Sequence, residues 1–138
     1  MPDRHFIRTI QSPSHVIKDA STGLYRISSK AFSPSSEDKK LSGDLEQLLL
    51  ADGLHATSLK PALSRVVGVF ALKIGQLRDR ELSVSHDPVR TNWYHGAVGG
   101  IKGRHKEHLR RDAIELIPID QDEAAKFDAL SQQKAASE

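Results

Sequence analysis

Five short stretches of the chain have the apolar and polar patterning of strands. Alternation with a period of two is typical of a half-buried strand, and a short run of β-branched residues is typical of a strand buried on both faces. The run Val66–Leu72 is of the second kind, and we predict it as the central strand. The other stretches are Phe6–Ile10, Gly23–Ser28, Leu82–His86 and Gly96–Ile101. Together they predict a small, mostly antiparallel sheet.

The segment from residue 41 to residue 53 has leucines at helical spacing. They recur at Leu41, Leu45, Leu48 and Leu49. Ser42 is placed to cap the start of a helix with its hydroxyl, and Gly53 can adopt the left-handed conformation that ends one. The pattern therefore predicts a helix over 43–52. Another helix is predicted over 57–66, with Pro61 tolerable in its first turn.

A second amphipathic pattern begins at Arg104. Leu109, Ala113 and Leu116 lie at i, i+4 and i+7, so they would share one face of a helix. Pro118 favours an extended conformation for the residue before it. We therefore expect a helix over 104–116, followed by a short strand over 117–119.

These elements predict an α+β fold, with a small, mostly antiparallel sheet and two or three helices. A chain of 138 residues has the size of one domain with its own core. We expect residues 1–120 to form that domain, with a surface loop over the Ser/Pro-rich residues 33–40. Residues 121–138 are predicted to be an acidic C-terminal tail, either disordered or with a short helix near 122–130.

Composition limits the available chemistry. The chain has no cysteine, so disulfides, thiolate metal sites and a cysteine nucleophile are excluded. No apolar run reaches the roughly 18 to 20 residues of a membrane span, and the first residues lack the apolar core of a signal peptide. We therefore expect a cytoplasmic protein without a membrane partner. No motif identifies a cofactor.

The segment 86–96 concentrates the residues that could support catalysis. His86, Asp87, Asn92 and His95 bring together imidazole, carboxylate and amide groups. One interpretation is a small hydrolase of phosphoesters, in which a histidine transfers a proton and Asp87 orients an imidazole. A metal could assist only with a third ligand, for example from His55, His105 or His108, and the sequence assigns no metal site.

The same segment also has a structural interpretation. Asp87-Pro88 is a common opening of a turn, and Asn92 tolerates left-handed backbone. Trp93 is more often a core or interface anchor than a stacking platform for bases, because its large surface is favourable to bury. The spacing of the two histidines matches no established catalytic motif.

A basic stretch follows this segment. From Arg90 to Arg111 there are six basic residues against one acid, and from Asp112 to Glu138 there are seven acids against two lysines. A basic stretch attracts phosphate groups. The residues predicted to contact a partner are Arg90, Trp93, Tyr94, Lys102, Arg104, Lys106 and Arg110. No motif for reading bases accompanies them, so any nucleic-acid contact would be to the backbone.

Three fragments of the chain resemble one group of proteins. They are Ser28–Phe32, Leu41–Glu46, and His86–Pro88 with Asn92 and His95. In these fragments the chain resembles short bacterial proteins of unassigned function, over about residues 26–117. The resemblance implies a bacterial, cytoplasmic accessory role, and it brings no reaction, cofactor or catalytic residue.

From the sequence we therefore expect an interaction or accessory module rather than an enzyme. It would bind a protein or a nucleic-acid backbone through residues 86–111. The alternative is the histidine-dependent hydrolase, with His86, Asp87, Asn92 and His95 as its polar cluster. The two hypotheses differ in geometry, because only the hydrolase requires the two imidazoles to converge.

Overall fold

Eight strands form two antiparallel sheets in the described part of the chain. The computed structural model describes residues 4–10, 13–34, 39–56, 67–90 and 92–126. In chain order the strands are β1 (His5–Ile10), β2 (Val16–Lys18), β3 (Tyr25–Ile27), β4 (Lys40–Leu45), β5 (Gly68–Lys73), β6 (Ser83–His86), β7 (His95–Gly99) and β8 (Ile114–Ile117). The main sheet has the spatial order β6, β7, β4, β1, β5, β8, and β2 pairs with β3 in the second sheet. The predicted α+β fold with a mostly antiparallel sheet is thus confirmed.

Short helices connect the strands. The α-helices are α1 (Glu46–Ala51), α2 (Ile74–Asp79) and α3 (Gly103–Asp112), and Pro13–His15 and Ser29–Phe32 form 3-10 helices. Residues 121–126 are also helical. None of the helices in the described part of the chain is both long and apolar enough to cross a membrane.

The pleat of the main sheet separates its core into two faces. The face that contains Phe6 packs beneath α2 and α3, whose buried leucines are Leu77 and Leu109. The face that contains Ile7 packs beneath α1 through Leu49. We call these the Phe6 face and the Ile7 face. Residues directly opposite each other on paired strands share a face. The register therefore also shows whether each of the other strand residues lies on the Phe6 face or on the Ile7 face.

The predicted helix over 43–52 is wrong at its start. Residues Lys40–Leu45 form β4, which lies between β1 and β7 in the sheet. The helix begins at Glu46, its N-cap is Leu45 and not Ser42, and no side chain caps it. The end is confirmed, because Gly53 follows the helix with a φ of +73°.

The predicted helix over 104–116 is too long. The helix ends at Asp112, and Ala113 is already extended with a φ of −65° and a ψ of 134°. The strand expected over 117–119 is instead β8, four residues long at Ile114–Ile117. β8 pairs with β5 along the edge of the sheet, and this pairing supplies hydrogen bonds that a helix end lacks.

The remaining predicted strands lie close to the predicted positions. β5 is buried over most of its length, but it is the second strand from one edge and β1 and β4 occupy the centre. The predicted helix over 57–66 and residues 35–38 of the predicted loop over 33–40 lie outside the described residues, and Lys40, the last residue of that loop, already belongs to β4. Near the expected boundary at residue 120, Gln121 bonds with its side chain to the backbone of Tyr25, and Ala124 is buried.

Candidate functional site

The segment from His86 to His95 is a hairpin that joins β6 to β7. The strands pair with His86 opposite Gly96. Nearer the tip, Val89 and Asn92 exchange both backbone hydrogen bonds, at 3.1 and 3.0 Å. Four of the described residues of this tip are exposed, and we call them the apex: Pro88, Val89, Arg90 and Trp93.

The sheet places the two histidines of this hairpin on opposite faces. His86 is paired with Gly96, so its side chain lies on the Phe6 face. His95 precedes Gly96 and lies on the Ile7 face, where its cross-strand neighbour is Asp44. The two imidazoles therefore do not converge on one centre.

His86 holds Trp93 from the Phe6 face. Its Nε2 donates a hydrogen bond to the Trp93 carbonyl oxygen at 2.7 Å, a direction that follows because a carbonyl can only accept. The two rings meet edge to face, with centroids 4.6 Å apart and planes at 86°. The Trp93 side chain is nevertheless 59% exposed. Its position is thus fixed while most of its surface remains open to solvent.

His95 and Asp87 are held together on the other side of the hairpin. The Nδ1 of His95 donates to the backbone carbonyl of Asp87 at 2.7 Å, and it lies 3.9 Å from the Asp87 carboxylate. The backbone N–H of Asp87 donates in return to the His95 carbonyl at 2.9 Å. Asp87 is therefore a neighbour of His95, eight positions away, rather than of the adjacent His86.

Asn92 connects the hairpin to a buried carboxylate. Its side-chain amide donates to Asp44 Oδ1 at 2.5 Å, and its side-chain oxygen accepts from the backbone N–H of Tyr94 at 3.0 Å. Asp44 is only 7% exposed. A buried carboxylate is costly unless it receives hydrogen bonds, so Asn92 stabilises both the charge and the turn.

Asp44 is the residue of this site that the sequence interpretation missed. It lies at the start of the helix predicted over 43–52, where a negative charge suits the helix dipole. In β4 it alternates with Gly43 and Leu45 and points to the Ile7 face, beside Ile7 itself. The alternation of Leu41, Gly43 and Leu45 with polar residues was the signal for a strand.

Tyr94 fastens the hairpin to α1. Its hydroxyl donates to the Asp52 carboxylate at 2.7 Å, just after the end of α1. The bond to Asp52 raises the pKa of Tyr94 above its usual value, because the hydroxyl proton is held by the carboxylate. The Tyr94 carbonyl also accepts from the backbone N–H of Leu45 at 2.9 Å.

The basic residues that were predicted to contact a partner near α3 lie away from the apex. Lys102, Arg104, Lys106 and Arg110 belong to α3 or immediately precede it. The apex precedes β7 in the chain, and α3 follows β7, so the length of this strand separates the apex from α3. That length is about 13 Å, at roughly 3.3 Å per residue. Arg110 is paired with Glu107, with its Nε at 2.9 Å from the carboxylate. The structure thus does not bring Arg90 and Trp93 together with this basic helix.

The start of α3 is built around His105. Its Nδ1 accepts the backbone N–H of Lys102 at 2.9 Å, and the ring is buried. Burial, together with nearby cations that include Arg104 and Arg80, lowers the pKa of His105. A neutral ring is required for this bond, so His105 serves the structure of the helix rather than a metal or a proton transfer.

The Asp87–His95 pair could accept a proton, but the described residues around it do not supply the other groups of a catalytic centre. Within the ranges that the structure describes, no three histidine or acidic side chains are grouped so that they could hold a metal ion. His55, a candidate third ligand, is exposed. The Asp87–His95 pair has the elements of an oriented base, with Asp44 as its buried neighbour.

Comparison of the chain with protein-family models, with curated proteins and with solved structures gives no match.

Proposed function

We propose that this chain is a protein-interaction module that contacts its partner through the apex. The observation that carries the proposal is the exposure of Trp93, which is 59% open to solvent although His86 fixes it by a hydrogen bond and a ring contact. Tryptophan is enriched among the residues that dominate binding energy at interfaces. Val89, also on the apex, is 43% exposed and adds apolar surface beside it.

The hairpin supports this role because it is rigid before binding. Asn92 ties it to Asp44, and Tyr94 ties it to Asp52. A contact that is already ordered loses less conformational freedom when a partner binds. Burying the open part of Trp93 would contribute about 2 to 3 kcal/mol, at roughly 25 cal/mol per Å² of apolar surface.

The character of the apex favours a protein over a nucleic-acid backbone. Arg90 is its single cation among two apolar side chains and a proline. Binding to phosphates depends on several neutralising contacts, and the other predicted cations belong to α3 at the far end of β7. The apex therefore has the composition of an apolar anchor with a charged rim.

The hydrolase alternative has less support. Its proposed cluster of His86, Asp87, Asn92 and His95 is divided between the two faces of the sheet. The side-chain amide of Asn92 already donates a hydrogen bond to Asp44, and the Nδ1 of His95 donates one to the Asp87 carbonyl. General acid–base catalysis with both histidines would need them within reach of one reacting group.

Site-specific crosslinking in cells that express the chain tests the proposal. A photoreactive benzoylphenylalanine replaces Val89 in one form and Leu24 in the other, because Leu24 is also exposed, at 57%, but belongs to the turn between β2 and β3. We expect a discrete protein adduct from position 89, none from position 24, and loss of the adduct when Trp93→Ala is added. Equal labelling at both positions, or no adduct at position 89, contradicts the proposal.

A titration with labelled duplex and single-stranded nucleic acid, at about 50 and 200 mM salt, separates the two partner classes. We expect no binding that depends on Trp93. Binding at low salt that disappears in the variant K102Q/R104Q/K106Q but persists in Trp93→Ala would favour a nucleic-acid backbone bound by α3 instead.

A further inference from the structure

A pocket lies at the end of the sheet nearest the apex, and α1, α2 and β6 contribute to its lining. Its volume is about 240 Å³, below the roughly 300 to 1,000 Å³ of sites for drug-sized ligands. Its apolar lining comes from Leu45 and Val84 of the sheet, Leu48 of α1 and Ile74 of α2. A ligand for this pocket is therefore small and has a short apolar part.

A glycine on β7 leaves room for one of the side chains of the lining. Gly96 is paired with Gly43 of β4 and with His86 of β6, and it carries no side chain on the Phe6 face. A Cβ added to Gly96 would lie 2.7 Å from Leu45 Cγ. The Leu45 side chain thus lies across the glycine and forms the apolar floor beside β6.

The one residue of Asp, Glu, Lys or Arg type in the described lining is Arg78 of α2. The other polar residues that line the pocket are Gln47, Ser85 and His86. Within the described part of the chain Arg78 has neither an ion pair nor a side-chain hydrogen bond. An exposed guanidinium at the margin of an apolar pocket is suited to a carboxylate, to which it can donate two parallel hydrogen bonds.

We propose that this pocket binds a small carboxylic acid with a short alkyl chain, of about six carbons. The chain occupies the space above Leu45 between Val84 and Ile74, and the carboxylate lies at Arg78. This inference does not depend on the proposed protein partner. The two sites are nevertheless adjacent, because His86 lines the pocket and also holds Trp93.

Two alternative occupants make different demands on the pocket. A neutral apolar group, such as a side chain of a partner, would use the alkyl surface and leave Arg78 without a role. An inorganic anion would use Arg78 and leave the apolar lining without one. The combination of both features is what favours a carboxylate on an alkyl chain.

The test compares hexanoate with its neutral amide, hexanamide, by NMR of methyl-labelled full-length protein. We expect hexanoate to shift the methyl signals of Leu45, Leu48, Ile74 and Val84 with a Kd of about 1 to 10 mM, in the range for a ligand of this size. Hexanamide should bind at least fivefold more weakly. The emission of Trp93, the single tryptophan of the chain, provides a second readout next to His86.

Arg78→Gln is the decisive variant, and Arg104→Gln on α3 is the matched control. Both arginines are exposed, so both variants should keep the fold, as their backbone spectra will show. We expect the preference for hexanoate over hexanamide to vanish in Arg78→Gln and to persist in Arg104→Gln. Equal binding of acid and amide to the unmodified protein overturns the proposal. Absence of methyl shifts at 50 mM (about five times the highest expected Kd) overturns it as well.

Discussion

His15 illustrates how a single residue is adapted to its surroundings at the cost of acid stability. Its Nδ1 is out of contact with water and has no hydrogen-bond partner among the residues that the structure describes. The neighbouring Arg8 donates to the carbonyls of Ala31 and Ser42, at 3.0 and 2.9 Å. Burial and the charge of Arg8 lower the pKa of His15 to about 4.

We therefore predict that the free energy of unfolding falls between about pH 6.5 and pH 4. The folded protein keeps His15 neutral in this range, whereas the unfolded chain binds a proton there, so stability is lost as pH falls. A shift from 6.5 to about 4 corresponds to at most about 3.4 kcal/mol, and the half-buried ring reduces the expected loss to about 1 to 2 kcal/mol.

Urea unfolding at pH 7 and pH 4.5 measures this loss, and His15→Leu isolates it from the titration of carboxylates. The His15→Leu protein should lose about 1 to 2 kcal/mol less than the unmodified protein on acidification. His108→Leu, on the exposed side of α3, should behave like the unmodified protein. The same pH dependence in all three proteins would show that His15 does not contribute.

The bond between Asn92 and Asp44 makes a second prediction at the scale of residues. Asn92→Ala leaves a buried carboxylate without its amide donor, so we expect unfolding to become easier by about 1 to 3 kcal/mol. In a double-mutant cycle with Asp44→Leu, the coupling energy should be at least about 0.5 kcal/mol. Additive effects of the two substitutions, measured by urea unfolding, would contradict this account of the hairpin.

At the scale of elements, β4 shows why part of the fold could not be predicted from its sequence. Leu41 and Leu45 are four residues apart, a spacing that places them on one face of a helix and also on one face of a strand. The periodicity of these two leucines is therefore ambiguous. Gly43 was the informative residue, because it is unfavourable within a helix and fits a strand that lies close to a neighbour.

Gly43 makes this argument testable. A Cβ at this position would lie 2.5 Å from the carbonyl oxygen of Ile7 and 2.5 Å from the ring of Phe6. Gly43→Ala should therefore destabilise the protein by about 1 to 3 kcal/mol, as expected for overpacking. Gly103→Ala is the matched control, because its Cβ would meet no described atom within 4 Å beyond its chain neighbours and its own helix backbone, and the position belongs to α3.

In thermal unfolding Gly103→Ala should be neutral or stabilising by up to about 1 kcal/mol, since alanine favours a helix. A stable Gly43→Ala protein would mean that β4 does not approach β1 as closely as the structure has it.

The end of α3 depends on contacts that are distant in sequence. Leu109 is buried in the core as its helical pattern predicts, but Leu116 belongs to β8. The segment Ile114–Ile117 can complete the edge of the sheet against β5, and that pairing determines its conformation. Propensity and periodicity within the segment carry no information about an available edge strand.

At the scale of the whole molecule, the sheet decides which candidate residues act together. The sequence predicted the α+β class and identified the hairpin as the candidate site. It could not predict that His86 and His95 lie on opposite faces, because this depends on their register with Gly96 and Asp44. The same order of strands separates the apex from the basic helix and places a basic pocket beside Trp93.

The central claim is that Trp93 anchors a protein partner, and the affinity of the crosslinked partner tests it most directly. Once that partner is purified, its Kd is measured with the unmodified protein, with Trp93→Ala and with Leu24→Ala. We predict that Trp93→Ala weakens binding about 30-fold or more, which corresponds to about 2 kcal/mol, and that Leu24→Ala changes it less than about twofold. A Kd for Trp93→Ala within about twofold of the unmodified protein would contradict the claim.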